Sequence, residues 1–178
     1  MQKMDVPSAI DIDPVQILDI KLYPNPILKQ KCAPVIEITK EIKTLVQNMF
    51  ATLYHKNGVG LSANQVGYTH RIFVMDTSES GQKRQAFINP EIIESSDIDR
   101  WKEGCLSFPD VFAYVKRPTK IKIKALDENG ESFELDMQGV DAICAQHEMD
   151  HLDGIIFFDH LSDLQKHMIR KKIKNLGK

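Results

Sequence analysis

From Thr39 onward, the apolar residues Ile42, Leu45, Val46, Met49, Phe50 and Leu53 recur every three or four positions. That spacing collects them on one face of a helix, and Asn57-Gly58 predicts its end. The next segment, Gly58-Val59-Gly60-Leu61-Ser62-Ala63-Asn64-Gln65-Val66-Gly67, reads as a small, flexible loop. Its glycines permit either a tight turn or a close backbone approach. Strand-like runs then cover Arg71 to Asp76, Gln85 to Ile93, Thr119 to Leu126 and Ser132 to Met137. In the third, Ile121, Ile123 and Ala125 alternate with lysines, and Asp127-Glu128-Asn129-Gly130 predicts a hairpin connection to the fourth. A second helix from about Val140 to Leu152 brings Val140, Ile143, Cys144, His147 and His151 to one side. Ser162, with Gln165 three residues on, predicts a capping box that opens a last helix. Its Leu164, Met168, Ile169, Ile173 and Leu176 are expected to pack inward. Near the start, Tyr23-Pro24-Asn25-Pro26 forces extended or turned backbone. The order of elements predicts an α+β fold, with antiparallel β-sheets packed around the helix over 140–152 and a C-terminal helix.

Composition narrows this picture without redrawing it. The chain has 178 residues, 42% hydrophobic and 27% charged, as expected of one ordinary globular domain. Residues 17–178 are expected to form that domain, and 1–16 a loosely ordered extension. The extension's three aspartates and one lysine suit neither a secretory signal nor a transit peptide. A net charge of −2 provides no global field for DNA. No run approaches the ~20 apolar residues of a membrane span. Cys32, Cys105 and Cys144 are widely spaced and odd in number, which argues for reduced thiols and a cytoplasmic location.

The chemistry concentrates in His147-Glu148-Met149-Asp150-His151. Histidines four apart on a helix lie one turn plus roughly 40° from each other, so both imidazoles can meet one ion. The glutamate after the first histidine stands beside that ion without having to ligate it, where it can take a proton from a bound water. The bland alternative is a polar helix face carrying two histidines by chance. Their company with Val140, Ile143 and Cys144 argues against it, since imidazoles in an apolar stripe need a partner. A catalytic site needs a third protein ligand and one open position. His160, His167, nearby carboxylates and Cys105 are all candidates, and spacing does not choose among them. A lone cysteine such as Cys105 is more commonly a small buried hydrophobe.

Three segments together resemble the peptide deformylases: Gly58-Val59-Gly60-Leu61-Ser62-Ala63-Asn64-Gln65, Glu103-Gly104-Cys105-Leu106-Ser107, and Gln146-His147-Glu148-Met149-Asp150-His151. They occur in the family's order, and the resemblance runs from roughly Gln16 to the C-terminal helix. It implies that Cys105, His147 and His151 are the metal ligands and Glu148 the acid/base. It also implies that Gln65 and the backbone N–H of Leu106 donate hydrogen bonds to the substrate oxygen. Val59, Gly60 and Gly104 would line the cleft, with Val140, Ile143 and Cys144 in the methionine pocket. Glu103 and Arg117 match an acid and a base that orient the Cys105 loop. The implied substrates are formyl-methionyl nascent peptides, and the implied ion is Fe(II), with Zn, Ni or Co able to replace it. Two positions depart from common family patterns. Ser62 replaces an alanine, with little effect expected, and Phe112 stands where some members carry an arginine facing the peptide backbone.

Two other readings compete. A zinc endopeptidase shares the His-Glu-x-x-His helix but leaves Glu103 to Ser107 unexplained. A structural metal module would require a closed site with four protein ligands. Finally, Lys166, Arg170, Lys171, Lys172, Lys174 and Lys178 lie in a C-terminal stretch without acids. It is either a solvated helix face or an electrostatic contact with ribosomal RNA.

Overall fold

A computed structural model describes residues 14–176. Most of the N-terminal extension and the last two residues lie outside it. Within the described part of the extension, the Gln16 N–H donates to Asn48 Oδ1 at 2.8 Å, tying the chain to the first helix.

The first helix, α1, spans Lys40–His55, with Thr39 as its N-cap accepting from the Ile42 N–H. The six apolar residues of its predicted stripe are all buried. Five strands follow: β1 Gly60–Ser62, β2 Ile72–Met75, β3 Gln85–Cys105, β4 Phe108–Leu126 and β5 Ser132–Gln138. They form one antiparallel sheet in chain order. The second helix, α2, spans Val140–Leu152 and packs on β1, β2, β4 and β5. The sheet therefore surrounds the predicted central helix. Ten of its thirteen residues are buried, which marks an interior helix, not one laid on a surface. The third helix, α3, spans Asp163–Leu176, and the Ser162 N–H donates to Gln165 Oε1 at 3.1 Å as the capping box requires.

Three expectations need correction. Gly58 to Gly67 is not a flexible loop: it contains β1 and a 3-10 turn, Ala63–Val66, buried from Leu61 through Val66. Its polar side chains bond to one another and to the core, so small polar composition here marks close packing. The strands β3 and β4 run far beyond Gln85–Ile93 and Thr119–Leu126, because their antiparallel pairing continues to Cys105↔Phe108 at the hairpin end. On α3, Ile169 and Ile173 pack on the core, but Leu164 and Met168 are 70% and 63% exposed. The side chain of Leu176 lies outside the description.

Candidate metal centre

The helix α2 carries two of the predicted ligands one turn apart. The rings of His147 and His151 are centred 5.0 Å from each other. Cys105 arrives from the sheet. It ends β3 where the register slips, Gly104 pairing with Phe112 and Cys105 with Phe108. Its Sγ lies 3.3 Å from His151 Nε2. Ligand atoms of Cys105, His147 and His151 all fall within 4.8 Å of one another. A tetrahedral ion at ordinary thiolate and imidazole distances would hold S and N about 3.5 Å apart, so the three residues fit a metal. Among the described residues, neither His160 nor His167 joins them.

The surrounding hydrogen bonds prepare the ligands. His147 Nδ1 lies 2.9 Å from Glu103 Oε2. An ionised carboxylate only accepts, so Nδ1 carries the proton and Nε2 keeps its lone pair for an ion. Burial would raise the Glu103 carboxyl, but hydrogen bonds from His147 and Arg117 outweigh it and hold Glu103 at about 2. Arg117 reaches Glu103 with both Nε and Nη2, the buried acid–base pair expected from the sequence. Burial also holds the His151 imidazole well below its ordinary range, in the neutral form that ligation needs. Asn64 Nδ2 donates to the His151 carbonyl at 2.6 Å and locks the end of the helix to the 3-10 turn.

Glu148 projects beside the cluster, and its Oε2 is buried with no hydrogen-bond partner. Burial pushes its carboxyl up to about 7. An unpaired polar atom in a dry wall is costly, and one facing a cleft is a place for a ligand. Gln65 Nε2 lies 3.4 Å from Cys105 Sγ and 3.1 Å from Ser107 Oγ. Its other end is held: Gln65 Oε1 accepts from the Ser62 N–H at 3.0 Å and the Ser62 hydroxyl at 2.9 Å. Ser62 is therefore more than a small filler.

Gln65, Glu103, Cys105, His147 and Glu148 border a cleft of about 870 Å³, and His151 is buried behind them. Val59, Gly60, Gly104, Val140, Ile143 and Cys144 line it, as the resemblance implies, together with Leu106. Phe112 stands on its rim, 61% exposed, lying against Gly104 with the Lys102 ammonium 5.2 Å from its ring centre. Trp101 also lines the cleft and was not foreseen. Nothing near it in sequence distinguishes it from any other strand aromatic. The contact of Arg117 with Asp150, and of Asp150 with His160, was likewise missed, since only the fold brings these residues together.

The family model described as polypeptide deformylase matches residues 17–167. A peptide deformylase of Psychrobacter cryohalolentis is 44% identical over 163 residues, covering 91% of this chain and 89% of that protein. Peptide deformylase 1 of Ralstonia nicotianae is 44% identical over 159 residues, covering 89% and 94%. The crystal structure of a peptide deformylase from Legionella pneumophila superposes with a TM-score of 0.86 at 38% identity, covering 90% of this chain and 95% of that one.

Proposed function

Since the chain belongs to the polypeptide deformylase family, we propose that Cys105, His147 and His151 hold one divalent metal at which Glu148 moves protons. The reaction is removal of the formyl group from the initiator methionine of new polypeptides. The observation that carries this reading is the convergence of Cys105 Sγ on His151 Nε2 at 3.3 Å, beside an unpartnered carboxylate in an open cleft.

When bound, such a metal polarises the formyl carbonyl and lowers the pKa of a coordinated water towards neutrality. Glu148 takes the proton of the attacking water at Oε2. It then passes that proton to the leaving amine nitrogen, so that formate and a free amino terminus result. Gln65 and the Leu106 N–H donate to the formyl oxygen as charge gathers on it. One such donor is typically worth ~3–4 kcal/mol in the transition state. To do this, Gln65 exchanges its contact with Ser107 for one with substrate. Val59, Gly60 and Gly104 border the peptide, and Val140, Ile143 and Cys144 form the pocket for the methionine side chain.

A thiolate ligand adds negative charge, which makes the ion a milder Lewis acid than three histidines would. A formyl group, small and electrophilic, suits it. Ferrous iron is the ion we assign in the cell, with zinc, nickel or cobalt able to occupy the same ligands. We place the enzyme in the cytoplasm; among the described residues no helix is long and apolar enough to cross a membrane. We read residues 17–178 as one catalytic domain. The basic face of α3 is assigned to ribosomal RNA. Arg170 lies over Phe158 and Lys172 bonds to the Asp110 carbonyl, while Lys171 and Lys174 are exposed.

Anaerobic purification with metal analysis, followed by formate release from formyl-Met peptides, tests the reading. One equivalent of metal and turnover of formyl-Met but not of blocked internal peptides is expected. Cleavage of the internal peptides would point to an endopeptidase instead. Loss of ribosome co-sedimentation on removal of 166–178, and its weakening with salt, tests the assignment of α3.

A further inference from the structure

His160 lies outside the cluster of Cys105, His147 and His151, and the fold gives it a different place. The chain leaves α2 through Gly154, whose φ of +74° and approach to the Lys29 carbonyl exclude a side chain. It then folds back as a 3-10 turn, Phe157–His160. Phe157 and Phe158 anchor that turn in the core, Phe157 stacking 6.1 Å from the His147 ring. His160, at the end of the turn, brings Nε2 to 2.7 Å from Asp150 Oδ2.

That same Oδ2 accepts from Arg117 Nη1 at 2.8 Å. The other edge of the guanidinium holds Glu103, whose Oε2 is shared between Arg117 Nη2 at 3.0 Å and His147 Nδ1 at 2.9 Å. The contacts form one unbroken sequence: His160, Asp150, Arg117, Glu103, His147. Each carboxylate bridges a histidine and the same arginine. The outer members are the more exposed, 36% for the His160 side chain and 20% for Asp150, against 5%, 4% and 9% for Arg117, Glu103 and His147.

We infer that His160 and Asp150 are positioning residues for the metal centre, acting through Arg117 to keep Glu103 in register with the His147 imidazole. Geometry supplies the reason. The guanidinium is rigid and planar, so fixing Nη1 at Asp150 fixes the direction in which Nε and Nη2 present themselves to Glu103. Asp150 can pivot about its own side chain unless a second donor holds the shared oxygen. His160 is that donor, and its turn is packed against the ligand helix by Phe157. Loosening the outer end lets the Arg117–Glu103 pair drift, and His147 loses the hydrogen bond that sets its tautomer and aim.

This inference rests on the proposed ligand set, and its test separates the two. Cobalt-loaded enzyme is challenged with excess chelator, and metal release is followed by the loss of the Co(II)–thiolate absorption. His160→Phe should release cobalt roughly 3- to 10-fold faster, below the about 10–100-fold expected of a group touching a ligand directly. KM for a formyl-Met peptide should stay unchanged. In a Glu103→Gln background, His160→Phe should add nothing, because the connection it acts through is already cut. Should the phenylalanine variant fail to fold, Asp150→Asn makes the same test from the other side of the hydrogen bond. Unaltered release, or an equal acceleration in both backgrounds, would overturn the inference. Wild-type protein that binds no cobalt, or shows no thiolate band, would instead remove the ligand assignment beneath it.

Discussion

The α-carbon of Gly60 faces the Glu148 carboxylate so closely that a methyl group there would come within 2.6 Å of Oε1 and 2.7 Å of the Cys144 sulfur. The strand β1 thus needs a glycine to let the Glu148 side chain lie against it. Gly60→Ala should displace Glu148 and lower kcat at least ~10-fold, with a stability loss of about 1–3 kcal/mol for overpacking. Steady-state kinetics with metal analysis checks this, and metal content should stay at one equivalent.

The role proposed for Glu148 is proton transfer without ligation of the metal. Glu148→Ala should therefore retain the metal while losing about 10²–10⁴-fold in turnover, the usual worth of general acid–base catalysis. An emptied site in the purified variant would show that the carboxylate holds the ion as well.

Gln65 and Ser62 form a graded pair. Gln65→Leu removes the proposed oxyanion donor and should lower kcat by about 10²–10³ with the metal still bound. Ser62→Ala removes the one hydroxyl proton that Gln65 Oε1 shares with Asn64 Oδ1, leaving the Ser62 N–H in place. One lost hydrogen bond of about 0.5–1.5 kcal/mol predicts a fall of no more than about tenfold. Equal effects from the two variants would contradict this division of roles.

Two thiols away from metal duty should be inert. Burial pushes the Cys32 thiol up to about 11 against the pull of Arg71, and burial raises Cys144 well above its ordinary value of 9.0. At pH 8, iodoacetamide should modify neither in the folded enzyme and all three cysteines in the unfolded chain. The sign of the stability effect follows. Below pH 9 Cys32 is protonated in both states and its contribution is complete. Between pH 9 and 11 only the unfolded chain releases the proton, so stability falls. Urea midpoints across that range should decline less steeply in Cys32→Ala than in the wild type.

Much of the fold is legible because α1 and the Ser162 capping box follow local rules of periodicity and termination. The long hairpin is not. Between Glu94 and Lys102 both faces are largely solvated, so the alternation that betrays a half-buried strand is missing, and the segment is recognised only by its backbone pairing with β4. Gly58 to Gly67 misleads for the opposite reason. Ser62, Asn64 and Gln65 look like surface residues but satisfy one another inside. On α3, Leu164 and Met168 share the spacing of Ile169 and Ile173, and only the position of the core decides which pair it covers. At the metal centre, His147, Glu148 and His151 declare themselves by spacing on one helix. Cys105, forty-two residues earlier, comes from family resemblance, and Asp150 with His160 from coordinates alone.

X-ray absorption at the metal edge of the zinc-loaded enzyme measures the central claim most directly. The account predicts one sulfur at ~2.3 Å and two imidazole nitrogens at ~2.0–2.1 Å, with the remaining position held by oxygen. It further predicts that the sulfur shell vanishes in Cys105→Ser. A wild-type spectrum without sulfur, or one with four protein ligands and no oxygen, would contradict it.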